Sequence, residues 1–196
     1  MKRLERRKMH KGQNRGGTAV GHSSVGHVVP IISFVGKSGA GKTTFLEQVV
    51  MELKRRGRRV AVIKHDVHGF EMDQPGKDSW RYAQAGADAV VISSPAKFAL
   101  IQRVPRERTM DELAALVQHD VNIVLTEGYK RGPKPKVEIS RAAVSHELLC
   151  SADELVALVT DQAFPDWPDL AGVPRFALDD VAGVADLLES CIESSQ

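Results

Sequence analysis

The sequence predicts a three-layer α/β fold in which a mostly parallel sheet carries helices on both faces. Three observations lead there. From Pro30 onward, short runs rich in β-branched and apolar residues alternate with helical segments. One such run, Ile31 to Val35, leads directly into the glycine-rich stretch Gly36-Lys37-Ser38-Gly39-Ala40-Gly41-Lys42-Thr43. Behind that stretch Phe45, Leu46, Val49, Val50 and Leu53 recur at the spacing of one helix face, so the glycines join a strand to a helix.

Taken in order, the expected strands are Ile31 to Val35, Val60 to Lys64, Ala89 to Ser93, Phe98 to Arg103, Val121 to Thr126, Val137 to Ser140 and Leu155 to Thr160. The expected helices are Thr43 to Arg56, Asp78 to Ala85, Met110 to His119 and Val181 to Glu193. Gly57 follows Lys54-Arg55-Arg56, and this is how a helix ends: cations complement the dipole and glycine accepts the left-handed turn. The strands on either side of Pro95 read as an antiparallel hairpin at one sheet edge. No internal repeat is present.

A chain of 196 residues with 42% hydrophobic content can form one α/β domain with a buried core. Cys150 and Cys191 stand apart with no C-x-x-C, so neither a disulfide framework nor a cysteine zinc site is indicated, and a reducing cytoplasm suits the chain. No apolar run approaches the roughly 18 residues that span a bilayer, and the N-terminal stretch lacks the apolar core of a secretory signal. The net charge of +2 is unevenly placed. Residues 1 to 16 hold seven cations against Glu5, which leaves the remainder with four more anions than cations. Residues 1–29 are therefore expected to be a basic, solvated tail, and residues 30–196 the folded domain. The tail has no aromatic residue and no nucleic-acid motif, so nucleic acid is not the expected partner.

The glycine stretch fits G-x-x-x-x-G-K-[ST], a phosphate-binding loop, and predicts the P-loop nucleoside-triphosphatase version of the fold. Gly36, Gly39 and Gly41 let successive N–H groups of Lys37, Ser38, Ala40 and their neighbours turn toward an anion, and the helix beginning at Thr43-Thr44 adds its positive end. Lys42 reaches the β- and γ-phosphates in such a loop, and the Thr43 hydroxyl sits on Mg²⁺.

Two later loops are rich in functional residue types. The first follows the second strand: His65-Asp66-Val67-His68 and on to Asp78. In open α/β sheets ligands bind beyond the carboxyl ends of strands, so this segment is expected beside the phosphate loop. Its histidines and aspartates fit no specific metal signature, and contacts to nucleotide, Mg²⁺ or a partner are the expected use. The second begins where an apolar strand closes in Glu127-Gly128, a strand-tip carboxylate suited to hold Mg²⁺ against Thr43. Tyr129 to Lys136 then supplies four cations, which either contact phosphates or an anionic substrate or stand in solvent.

With these residues assembled, the chain resembles the molybdopterin-guanine dinucleotide biosynthesis protein B (MobB) family. The resemblance runs from about Pro30 to Leu188. Its carriers are the phosphate loop with Thr43-Thr44, Lys64-His65-Asp66-Val67-His68, Asp73-Gln74-Pro75-Gly76-Lys77-Asp78-Ser79, Ala85-Gly86-Ala87, and Thr126-Glu127-Gly128-Tyr129-Lys130 leading to Pro135-Lys136-Val137-Glu138. It implies a GTP-binding protein with weak Mg²⁺-dependent GTPase activity, a homodimer, that assists the guanylyltransferase attaching GMP to molybdopterin. It leaves open whether a molybdopterin species binds this chain directly. No Asn-Lys-x-Asp motif reads guanine; Thr160-Asp161 after a late apolar strand is the candidate for the base. Lys37 holds the position where dimeric switch ATPases carry a lysine that reaches the partner's nucleotide; here it does so or points to solvent.

The expected chemistry is phosphoryl transfer to water by positioning and charge neutralisation, with Lys42, Glu127 and Asp66 as the catalytic candidates and Thr43, Glu127 and Asp66 as the Mg²⁺ candidates. No residue stands out as the orienter of the attacking water, so turnover should be slow. A non-hydrolysing nucleotide-binding adaptor is the alternative reading, followed by a dimeric switch ATPase or a metal-delivery GTPase. The last lacks the Cys-Pro-His or Cys-Pro-Cys motif it would need. A small-molecule kinase would draw on Arg103, Arg106 and Arg108.

Overall fold

Hydrophobic alternation on the strands and the helical stripe on Thr43 to Arg56 both require two-sided burial, and the computed structural model, which describes residues 28–162 and 170–195, has that arrangement. Strands β1 (Ile31–Val35), β2 (Val60–Lys64), β5 (Ile123–Glu127), β6 (Lys136–Ser140), β7 (Leu155–Thr160) and β8 (Arg175–Phe176) form a six-stranded sheet in the order β2-β5-β1-β6-β7-β8. Every pairing in it is parallel. On one face lie α1 (Lys42–Arg55) and α4 (Val181–Ser194), whose Leu46, Val49, Leu53, Leu188 and Ile192 meet Phe34, Ile123 and Leu125 in the main core. The alternate residues of the same strands point the other way, where Val124 packs with Ala114 of α3 (Met110–Ala114) and Val35 with Leu158 and Leu170. Each large side chain so buried stabilises the fold by about 1.5–3 kcal/mol.

The end of α1 follows the expected chemistry. Gly57 takes φ 80°, its N–H donates to the Lys54 carbonyl at 3.0 Å and the Arg58 N–H donates to the Leu53 carbonyl at 2.9 Å, a glycine-terminated helix end with both orphan carbonyls satisfied. A short helix α2 (Asp78–Gln84) follows the 65–77 loop.

Three expectations are corrected. The antiparallel hairpin forms, β3 (Ala89–Ser93) with β4 (Phe98–Gln102), but as a separate two-stranded sheet and not on the edge of the main one. The helix expected over Met110 to His119 stops at Ala114, with a 3₁₀ turn over Gln118–Asp120. Thr109 and Glu112 form a reciprocal capping box that starts it, and Met110 and Ala114 are buried, but Leu116 stands exposed; with no further apolar contact the helix has no reason to continue. The strand expected from Val121 begins at Ile123, because Asn122 leaves the ladder to bridge Arg59: its N–H donates to the Arg59 carbonyl at 2.7 Å and its Oδ1 accepts from the Arg59 N–H at 2.8 Å. The basic tail expected over 1–29 lies outside the described residues up to residue 27; Val29 is already buried in the core. No helix among the described residues is long and apolar enough to cross a membrane.

The two helices of the main face are also tied by charge. Arg56 bonds Glu52 at 2.7 Å and Glu189 at 2.9 Å and Arg58 bonds Glu189 at 2.6 Å, so α1 and α4 share one ion network. Hydrogen bonds from Arg55 and Arg56 hold the Glu52 carboxyl down to about 2 from an ordinary 4.5. A carboxyl depressed by folding contributes stability that is full above the unfolded value and lost as pH falls through the folded one. Thermal unfolding midpoints should therefore drop between about pH 4.5 and 2, and less steeply in Arg56→Met; equal slopes would show that the network adds nothing.

Candidate nucleotide and magnesium site

Parallel pairing brings the carboxyl ends of β1, β5 and β6 to one level. Phe34 lies opposite Glu127, and Val35 opposite Glu138, so the loop leaving β1 is flanked by the tips of both neighbours. The loop itself turns on Gly36, Gly39 and Gly41, at φ of 152°, 81° and 91°. At Gly36 there is no room for any other residue, since a Cβ would stand 2.4 Å from the Ile139 carbonyl oxygen. Gly41 precedes α1 without any side-chain cap, which leaves the first N–H groups of the helix for a ligand.

Within this frame the Thr43 hydroxyl donates to Glu127 Oε1 at 2.6 Å, across 84 residues of sequence. Glu127 is fixed there by its backbone, paired with Phe34 on one side and Lys64 on the other, while the His65 N–H donates to its carbonyl at 2.9 Å. Lys42 donates to the Lys37 carbonyl at 3.1 Å, spanning the loop. Burial, together with the ammoniums of Lys130 and Lys64, holds Lys42 below the ordinary lysine range, while Glu127 pulls it upward. The loop backbone and Lys42 can take phosphate, and the hydroxyl-carboxylate pair is the hard oxygen donor set that Mg²⁺ prefers.

Beyond Lys42 the site opens into a cavity of about 570 Å³ walled by His65, Glu127, Tyr129, Lys130 and Arg131. His65 stacks on Tyr129 with centroids 4.5 Å apart and bonds Glu107 at 2.7 Å. Gly128 is needed behind them, because a Cβ would come within 3.1 Å of His65.

Ser38, Gly39 and Thr44 lie exposed at the loop mouth and Ala40 is buried beneath it. Lys37 neither points to solvent nor stands free: it donates to Ser145 Oγ at 2.6 Å and to Glu147 at 3.0 Å, on the segment after β6. Asp66 is not brought to the Thr43–Glu127 pair; its carboxylate accepts from the His68 N–H at 3.0 Å and lines a neighbouring groove, and His65 takes the place in the cavity wall. Among the described residues no three His, Cys, Asp or Glu side chains converge as a metal cluster. At the end of β7, Thr160 is buried and its hydroxyl accepts from Gln162, while Asp161 accepts from the Ala142 N–H at 2.7 Å. Gln162 was not a candidate, yet its amide bonds Ser140 Oγ, the Ser145 carbonyl and His146, fastening the β6 and β7 tips together. These bonds link residues 16 to 22 positions apart, and nothing in the local sequence signals them.

This geometry can be set against known proteins. The family model for molybdopterin guanine dinucleotide synthesis protein B matches residues 31–161. The chain belongs to the MobB family. A Haemophilus influenzae relative, a molybdopterin-guanine dinucleotide biosynthesis adapter protein, is 35% identical over 83% of this chain and 89% of its own. Its Escherichia coli counterpart of the same description is 31% identical over 82% of this chain and 92% of its own. The crystal structure of Bacillus subtilis MobB superposes with a TM-score of 0.63 at 29% identity, covering 82% of this chain and 96% of that one. The matched range contains the glycine loop, Thr43, Glu127, Thr160 and Asp161, so the MobB resemblance seen in the motifs extends through the whole site.

The tight contact at Gly36 yields a test. Gly36→Ala should lower stability to urea by about 2 kcal/mol or more, since a backbone carbonyl must move to admit the methyl. An unchanged unfolding midpoint would mean that the loop does not press against Ile139 as described.

Proposed function

We propose that this protein is a GTP- and Mg²⁺-binding adapter in molybdopterin-guanine dinucleotide synthesis, working with the guanylyltransferase that attaches GMP to molybdopterin, with slow GTP hydrolysis of its own. The adapter role rests on the relatives, whose names carry it, at identities above 30% over most of both chains. The nucleotide part rests above all on the 2.6 Å bond joining Thr43 of the glycine loop to Glu127 at the tip of β5. That bond brings a hydroxyl and a carboxylate oxygen together beside the glycine loop, the two donors a magnesium site there would use.

Thr43 and Glu127 would hold Mg²⁺, which when bound neutralises charge on the outer phosphates. Lys42 and the amides of residues 39 to 44 would hold and orient the triphosphate. Asp161 at the end of β7 would meet the base, giving up the hydrogen bond it now accepts from the Ala142 N–H. Among the described residues of the cavity wall, the groups that could take a proton from an attacking water already have partners: His65 and Glu107 hold each other, and Glu127 holds Thr43. Binding and partner contact therefore outweigh turnover, in keeping with an adapter that works in the cytoplasm.

The same reading includes a homodimer. Val91, Phe98 and Leu100 of the β3–β4 ribbon are exposed, as are Phe70 and Met72 beside it, and β2 ends the main sheet with one edge unpaired among the described residues. A two-stranded ribbon is marginal by itself. A second copy of this chain would cover these apolar side chains and give the open edge a partner.

Three measurements bear on this reading. In calorimetric titrations with Mg²⁺, GTP should bind more tightly than ATP. Lys42→Ala should lose at least tenfold in triphosphate affinity, while Glu127→Gln should lower Mg²⁺-dependent phosphate release more than binding. Preference for ATP, or full binding by Lys42→Ala, would defeat the assignment. Light scattering should give twice the 21.4 kDa chain mass, falling to one chain in Leu100→Asp. A monomeric wild type would remove the dimer.

A further inference from the structure

The cavity beyond Lys42 carries positive charge that no partner within the fold takes up among the described residues. Of the four cations after Glu127, two are consumed by the fold. Lys134 lies 2.5 Å from Asp111, and Lys136 is buried, donating to the Gly132 carbonyl and to Glu154, each at 2.7 Å. Lys130 and Arg131 differ: both are exposed, both wall the cavity, and no hydrogen bond or ion pair engages either side chain among the described residues. The acids that could have balanced them are occupied, Glu127 by Thr43 and Glu107 by His65. The ammonium of Lys130 is close enough to act on Lys42, so its charge bears on the same space.

The remaining wall is aromatic. Tyr129 and His65 lie face to face, with 25° between their planes. Tyr129 is the one non-glycine residue among those described with positive φ, at 44°, a conformation that costs about 1–2 kcal/mol and persists only where the surroundings impose it. Such strain is spent on directing the segment Tyr129-Lys130-Arg131 into the cavity. A space of about 570 Å³ falls within the range that takes a small organic ligand. Paired free cations select a doubly charged oxyanion, and stacked rings select a planar ring system. A peptide carboxylate of a protein partner would use the cations and leave the rings without a role.

We propose that this cavity is a second ligand site for a pterin phosphomonoester, its phosphate held by Lys130 and Arg131 and its ring system packed against the Tyr129–His65 pair, beside the outer phosphates of the nucleotide. The choice of a pterin rests on the function proposed above, in which a pterin phosphate is the group joined to guanylate. The adapter would thus hold both halves of the future dinucleotide together, with Lys130 and Arg131 bonding the pterin half.

Pterin fluorescence tests this on the full chain. Pterin-6-ylmethyl phosphate and 6-hydroxymethylpterin, which lacks the phosphate, are titrated into protein saturated with Mg²⁺ and a non-hydrolysable GTP analogue. The phosphate ester should bind at least tenfold more tightly than the alcohol, and the Lys130→Ala/Arg131→Ala variant should lose that advantage while its GTP affinity falls far less. Tyr129→Leu should weaken both pterins together. Equal or absent binding of the two pterins overturns the proposal while nucleotide binding stands. A loss of GTP affinity in the double variant as large as its loss of ester affinity overturns it by assigning these cations to the nucleotide. Wild-type-like pterin binding in the double variant, with lost capture of the guanylyltransferase, overturns it in favour of a protein partner. Failure of GTP binding in the wild type is a separate result and strikes the function proposed above.

Discussion

Everything at this site depends on the parallel register of β1 against β5. Phe34 and Glu127 are paired, so the strand that feeds the glycine loop and the strand that carries the acid end at the same height. The register is held from within: Thr126 donates to Ser33 at 2.9 Å, a fully buried hydroxyl pair, and Ile32, Phe34, Ile123 and Leu125 all face the α1–α4 core. A slip of one residue would turn that apolar set outward and carry the carboxylate away from Thr43. The core and the site therefore draw on a single constraint.

The strand on the other side of β1 does a different task with charge. Along β6, Val137 and Ile139 enter the main core, while Lys136, Glu138 and Ser140 are buried on the opposite face. Buried charges are tolerable only with full partnership. Lys136 has Glu154 and the Gly132 carbonyl, and Glu138 accepts from the N–H groups of Leu149 and Cys150 at 2.7 and 3.0 Å. Burial raises the Glu138 carboxyl above its ordinary value, and it pushes the Cys150 thiol up to about 12, which leaves that cysteine inert. The consequence reaches the loop mouth: residues 141 to 154 are fastened to the sheet at both ends, and Ser145 and Glu147 are held where Lys37 finds them.

The parts readable from sequence were those with local causes. The strand-glycine-helix passage, the helix end at Gly57 and the strand closing in Glu127 each depend on neighbours in the chain, and the sheet has them where periodicity placed them. What was not legible depends on distant partners. Nothing near Asp66 says that its carboxylate will turn back to His68 and leave the cavity wall to His65, because that choice is made by Tyr129 and Glu107. Nor does the cationic run after Tyr129 announce that Lys136 is buried; it alternates into a strand whose outward face is covered by the 148–158 segment. The two-residue strand β8 is too short to show any period.

Lys37 shows how such distant contacts bear on function. Its sequence position leaves two readings, a reach across a dimer or exposure to solvent; within the single chain the side chain is turned to Ser145 and Glu147. The side chain of Glu147 is 88% exposed, and ion pairs of that kind contribute about 0–1 kcal/mol. Hydrogen bonds between a cation and phosphate are roughly twice as strong as neutral ones. The contact thus holds Lys37 in a defined place without binding it tightly. A phosphate in the loop would compete for Lys37 with a weak partner, and the cost of giving up that partner would fall on the 141–147 segment. That segment is also where Asp161 and Gln162 are anchored, through Ala142, Ser145 and His146. The glycine loop and the end of β7 are therefore joined by one stretch of chain, through contacts light enough to be exchanged.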